Sequence, residues 1–419
     1  MDKILEFCAA KRTGTIIAVS IIAIFLVISL IRTYDFKTFQ SIIDSGGDDW
    51  SLYARYALDI KDNGLLMPSV QGAYYFPASY LYSYFIAFCL ALFGEKSVPI
   101  FIAQHLMLGL SIGFVYWAFR DKMNGLTSLI FLCTLFVFSI KDICKNYSAL
   151  LLGENLALFT MALFFLCFIK GIEKKSLALQ LTAASSLGLS ILTRPNIVIF
   201  GLAFIPLVTA YYVRRGRAGY IKLAAFLLVF FLSSSLLLVR NYLVCKKPYL
   251  LPVQVSSMSF ARMYHPIPSS VDLTRTNENF LYAKLHLSRD MVDYAEYALQ
   301  KPRLFFGYYI KKALFCLGYM SPLSPVYGLR SHWLAMWAGY FLYLFFRIKD
   351  RARPEMWEAA THLFIICYYG TVIMSAPIHN YGFRMLIPVI FYVLVFAFLA
   401  LDRLWAGART YFNNIGTWR

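Results

Sequence analysis

Ten apolar runs dominate this sequence, at roughly 15–33, 99–119, 126–140, 154–169, 177–193, 196–213, 219–239, 333–347, 358–376 and 385–402. Each is near the length a helix needs to cross about 30 Å of hydrocarbon. In that solvent every backbone N–H and C=O must be satisfied inside its own segment, so the fold class is an all-α polytopic membrane bundle. Composition agrees, with 60% of the 419 residues hydrophobic and 15% charged, against about 25% charged in an ordinary soluble domain. A soluble globular enzyme and a disordered chain are both excluded. The net charge of +18 would suggest nucleic acid in a polar chain. Here it asks which side of the membrane each cation occupies, and no nucleic-acid partner is expected. The eight cysteines form no CxxC pair or metal-ligand cluster, although Cys144 and Cys245, just outside apolar runs, could pair. The first run has no small-residue cleavage site after it and reads as an uncleaved span.

One further run, 77–93, decides the parity of everything after it. Its first half is rich in Tyr and Ser, which suits the headgroup level. With Lys3, Lys11 and Arg12 placed in the cytoplasm, a non-crossing 77–93 puts Arg120–Lys122, Ile172–Lys175, Val213–Arg217, Arg347–Arg353 and Arg403–Arg409 inside as well. A crossing segment would put all five outside, against the positive-inside rule. The expectation is ten spans, both termini cytoplasmic, and 77–93 as an interfacial helix. The outer face then carries a first loop at 34–98 and a large loop at 240–332, packed on a single domain covering 1–419. Within the large loop, 302–320 is amphipathic and is interrupted by Lys311 and Lys312, so it is expected to lie on the surface. No internal repeat is visible, which weighs against a transporter.

The ionisable residues worth arguing over gather on the outer face. Asp48 and Asp49, in GGDDW, precede a helical pattern with Tyr53, Ala57 and Ile60 on one side. They can cap that helix, or serve as a general base or as ligands for Mg or Mn. Glu154 opens the fourth span, where a carboxylate can match the helix dipole or do chemistry. Arg194, in the Leu-Thr-Arg-Pro turn, Arg240, in Val-Arg-Asn-Tyr, and Arg384, at the start of the last span, sit at outer helix ends. Snorkelling explains many such arginines, but their side of the membrane is disfavoured, and a bound phosphate would account for them. His265 is a further possible donor or ligand in the large loop.

These elements together resemble the GT-C superfamily of integral membrane glycosyltransferases, in the branch of the protein O-mannosyltransferases and the lipid A aminoarabinose transferase. GGDDWSLYARYALDIKDNGLL resembles the acidic first-loop motif, and YYFPASYLYSYFIAFCLALFG its aromatic-Pro interfacial segment. GLSILTRPNIVIFGLAFIPL, VRNYLVCKKPYLLP and YGFRMLIPVI resemble later elements in the same order. The resemblance implies transfer of a sugar, with inversion, from a polyprenyl-phosphate donor to a glycan, lipid or protein acceptor on the outer, periplasmic face of the cytoplasmic membrane. It puts Asp48 at the catalytic aspartate, Asp49 at a position usually Glu, and Glu154 at the second acidic position. It implies donor-phosphate binding by Arg240 and Arg384, with Arg194 and His265 as further cations. One branch carries Lys before a Pro-Pro pair, where this chain has Phe76-Pro77-Ala78. A lipid-linked glycan ligase or polymerase, or a lipid or sugar transporter, are the alternatives.

Overall fold

The computed structural model describes residues 11–32, 39–44, 49–66, 80–144, 153–246, 302–303, 310, 313–314, 317, 331–351, 353–375 and 382–416. Among these residues the regular structure is entirely helical. Helix α1 is Lys11–Arg32. The first loop contributes α2 (Phe39–Asp44), α3 (Asp49–Asn63) and α4 (Tyr80–Phe93). There follow α5 (Ser97–Phe119), α6 (Gly125–Phe138), α7 (Glu154–Glu173), α8 (Leu177–Thr193), α9 (Val198–Val213), α10 (Arg217–Ser234) and α11 (Leu236–Cys245). The last three are α12 (Ser331–Asp350), α13 (Met356–Ser375) and α14 (Gly382–Gly416).

Over their described residues all ten apolar runs are helical, the 219–239 run being divided at Ser235 into α10 and α11. Five stretches, Ser97–Lys122, Glu154–Glu173, Pro195–Val213, Arg217–Ser234 and Leu386–Ala408, are long and apolar enough to cross a membrane by themselves. Of the 302–320 segment, residues 302–303, 310 and 313–314 are helical. There the Ala313 carbonyl accepts from the Tyr369 hydroxyl at 2.7 Å, which ties the large loop to α13. Leu317 N–H donates to the Ala313 carbonyl at 3.0 Å, and the remaining residues of that segment lie outside the described ones.

Contacts between distant residues sort the helix ends. Arg120, after α5, donates to Thr15 near the start of α1 at 2.9 Å. The two helices thus run in opposite directions, and α5 begins at the end of the bundle where α1 finishes. Lys122 meets Glu173 at 3.0 Å and Glu355 at 3.7 Å, and Lys170 meets Asp121 at 2.9 Å. Asp402 of α14 accepts from Asn124 and Thr127 at the start of α6, and Arg403 pairs with Asp350 at 2.7 Å. Tyr212 donates to Gln180, whose amide donates to Gly171, which brings the turn after α9 to the same end. All five basic clusters lie together at the end where α1 starts, beside Thr15, which is the arrangement expected if 77–93 does not cross. We call this the basic end.

The core of the bundle is aromatic. Phe119, Phe164, Phe165, Phe200, Phe204, Phe364 and Tyr392 are buried and meet mostly edge to face, with Phe165 stacked on Phe200 and tilted against Tyr392. Such pairs add roughly 0.5–1.5 kcal/mol beyond the area they bury. Helix α14 is central, with 83% of its apolar window buried, whereas α10 lies at the rim with 22%. Close approach depends on small residues: a Cβ on Gly339 of α12 would stand 2.6 Å from the Ala397 Cβ of α14.

A second hydrophobic cluster caps the opposite end. Phe39, Ile42, Tyr53, Ala54, Ala57 and Ile60 of α2 and α3 pack with Tyr82, Ile86 and Leu90 of α4. They sit on Ile100, Leu156, Leu192 and Leu237, which lie at the ends of α5, α7, α8 and α11 away from the basic end. The Tyr53–Ala57–Ile60 face anticipated from the sequence is the one α3 buries.

Candidate active site at the capped end

The site is built from helix ends. Helix α3 starts at Asp49, and a negative charge at a helix N-terminus is favoured by the helix dipole. Asp48 and His265 lie outside the described residues, and only the backbone of Asp49 and of Arg384, in the first turn of α14, is described. Glu154 is the first residue of α7, as its place in the sequence suggested, and is 2% exposed. Arg194 caps the C-terminus of α8 in extended conformation, and Pro195 then opens a short 3-10 turn into α9.

Two of the arginines have defined partners. Arg194, 8% exposed, forms an ion pair with Glu154 across the α7–α8 hairpin. Tyr368 of α13, fully buried, is within electrostatic reach of both. In a low-dielectric site each of these charges would be strongly destabilised without the other. Arg240 of α11 is 2% exposed. Its Nε donates to the Leu66 carbonyl at 2.9 Å and its Nη1 to Asn241 Oδ1 at 3.1 Å.

Sequence reasoning missed the tyrosines of α4. The Tyr84 hydroxyl donates to the Leu65 carbonyl, the Tyr80 hydroxyl donates to Tyr84 at 2.9 Å, and Tyr82 bonds the Gln104 side chain of α5. Burial pushes the Tyr80 and Tyr84 phenols above their ordinary range, so both stay protonated and able to donate. Their spacing on an apolar helix was the signal: hydroxyls on a buried face need partners. On the outside of the cap, Lys61 meets Glu95 at 2.6 Å, and that carboxylate holds the ammonium above its usual range.

The described residues contain no group of three or more His, Cys, Asp or Glu able to hold a metal. They do not by themselves make the Mg or Mn site that the acidic pair suggested.

Known proteins resemble the chain in part of its sequence and in its fold. Residues 78–238 match the family model described as dolichyl-phosphate-mannose-protein mannosyltransferase. No curated protein sequence matches the chain. Among solved structures, the oligosaccharyltransferase of Archaeoglobus fulgidus, tethered to an acceptor peptide with the NVT sequon, is 15% identical with a TM-score of 0.51. The match covers 94% of this chain and 50% of that one. The same archaeal enzyme, AglB, in complex with an inhibitory peptide and a dolichol-phosphate, gives 15% identity and a TM-score of 0.50, over 96% and 52% of the two chains. ArnT from Cupriavidus metallidurans, bound to undecaprenyl phosphate, is 16% identical with a TM-score of 0.49, over 94% and 61%. The chain thus spans about half the length of the archaeal structures it matches. It is an integral membrane protein with the fold of the GT-C glycosyltransferases, and its residues 78–238 carry the sequence pattern of the dolichyl-phosphate-mannose-protein mannosyltransferases.

Proposed function

We propose that the chain is an inverting glycosyltransferase that moves a sugar from a polyprenyl-phosphate donor to a hydroxyl acceptor at the capped end of the bundle. That end would face the periplasmic or outer side of the cytoplasmic membrane, with both termini in the cytoplasm. The gathering of Asp49, Glu154, Arg194, Arg240 and Arg384 at this one end, opposite the basic clusters, is the observation that supports it most directly. The family match over 78–238 and the GT-C fold agree with it.

In this reaction the Asp48 carboxylate takes the proton of the acceptor hydroxyl. The acceptor oxygen forms a bond to the anomeric carbon as the bond from that carbon to the phosphate oxygen breaks, and the polyprenyl phosphate leaves with the electron pair. Attack from the opposite face inverts the anomeric configuration. Asp49, at the positive end of α3, holds the acidic loop and the acceptor. Cations stabilise the leaving phosphate, where charge develops. Arg384 and His265 supply direct contacts. Glu154 neutralises Arg194, and Arg240 is bonded to the Leu66 carbonyl, so these two act by holding the site together. Glu154 serves the site through Arg194.

Asp48→Asn tests the base. Sugar release from radiolabelled lipid monophosphate donors is expected to fall about 10²–10⁴-fold, the usual share of a general base. Unchanged turnover would remove Asp48 from that role. Consumption of diphosphate-linked donors instead would replace the proposal with a glycan ligase.

A further inference from the structure

The loop that follows α3 is held from two sides. Gly64 ends the helix with φ +93, its N–H still bonded to the Ile60 carbonyl at 3.1 Å. Any other residue type would be strained in that left-handed conformation. Immediately beyond it, two consecutive carbonyls are taken by side chains from separate elements. Leu65 O accepts from Tyr84 of α4, and Leu66 O accepts from Arg240 Nε of α11 at 2.9 Å. Both donors are themselves oriented, Tyr84 by the Tyr80 hydroxyl at 2.9 Å and Arg240 by Asn241 Oδ1 at 3.1 Å. Asn241 is fully buried, so the guanidinium is fixed from inside the bundle.

We propose that Arg240 and Tyr84 form a latch on the Leu65–Leu66 backbone that fixes α3, and with it the acidic helix start, against the bundle. Arg240 is then a positioning residue that acts through this loop, not a ligand of the donor phosphate. Helix α3 is one continuous helix over Asp49–Asn63, so a shift at its C-terminal loop would be carried to Asp49 some 20 Å away, at about 1.5 Å per residue. Displacements of about 1 Å in a catalytic group can cost on the order of 10²-fold in rate. Arg240 lies within α11, so the latch joins the first loop to this helix through one side chain.

The proposal rests on the glycosyltransferase reading for its effect on turnover, but the placement of α3 can be measured without activity. Hydrogen exchange of the full chain in nanodiscs would compare wild type with Arg240→Lys and Tyr84→Phe. Loss of one such hydrogen bond is expected to speed exchange of the 60–66 amides and of α3 about five- to tenfold in each variant. With a lipid monophosphate donor, kcat should fall about tenfold in both while KM for that donor stays within about twofold. Tyr84→Phe changes no charge and removes a single hydroxyl, so it decides the matter even if Arg240→Lys folds poorly. Unchanged exchange in Tyr84→Phe would overturn the latch. So would a raised donor KM in Arg240→Lys with exchange unaltered, since that is the signature of a phosphate ligand. Faster exchange in a chain whose wild type turns over no lipid-linked donor would uphold the latch and remove the glycosyltransferase reading instead.

Discussion

At the basic end of the bundle most charged side chains meet one another where water reaches them. At the capped end, Glu154, Arg194 and Arg240 are almost closed off from it. The Arg403–Asp350 pair leaves 34% and 50% of its side chains exposed, whereas Arg194–Glu154 leaves 9% and 3%. The first kind of pair is nearly neutral for stability, because solvent screens it and long side chains lose entropy in making it. Its cations serve to set which way the bundle lies in the membrane. The second kind is expensive to desolvate and persists only when the geometry compensates. Buried charge gathered at one end of a membrane bundle is therefore a pointer to chemistry in a way that surface charge is not.

Breaking the buried pair should have the largest effect on stability. Arg194→Ala leaves the Glu154 carboxylate buried without its cation and is expected to cost about 3–5 kcal/mol. The measurement is the thermal midpoint of the detergent-solubilised chain. The double variant Arg194→Met with Glu154→Leu should recover most of that loss, since it removes both charges together. If the single variant proves no worse than a surface variant, the contrast between the two ends fails.

An exception at the basic end sharpens the comparison. Glu358 of α13 is 2% exposed and takes Arg347 Nε at 2.6 Å, Arg347 Nη2 at 2.7 Å and the Tyr343 hydroxyl at 2.8 Å. Arg347→Ala is expected to cost about 2–4 kcal/mol, less than Arg194→Ala because Tyr343 and the Glu355 N–H continue to bond the carboxylate. A loss below about 1 kcal/mol would mean that location, not burial, governs these pairs.

The smallest effect is expected from Arg403→Ala, about 0–1 kcal/mol, shrinking further as salt is raised from 0.05 to about 0.5 M. A loss as large as that of Arg347→Ala would show that the Arg403 stacking over Tyr343, at 5.4 Å, matters more than its ion pair.

Much of the fold was legible because membrane helices announce themselves locally. The run at 154–169 became α7 with its first residue at Glu154, and the run at 177–193 became α8 with the same bounds. Pairings across helices were less legible. Glu154 and Arg194 were each singled out as ends of spans, yet nothing in their spacing said that one would neutralise the other. The Arg347–Glu358 network went unseen because both residues belonged to segments read only for orientation. The bond from Arg240 Nε to Leu66 was not foreseen, because its acceptor is a backbone carbonyl, which every residue possesses and no sequence pattern marks.

By itself the sequence determined the all-helical class, the place of the apolar helices and which connections share an end. Hydrocarbon solvent demands internally bonded apolar segments, and the basic clusters between them fix parity. Tertiary structure alone decided how the first loop folds back as a cap, that Arg194 is taken by Glu154, and that Tyr84 and Arg240 close on Leu65 and Leu66. Those contacts join residues 19 to 174 positions apart. They depend on the packing of whole helices, and no local rule of periodicity or charge reaches that far.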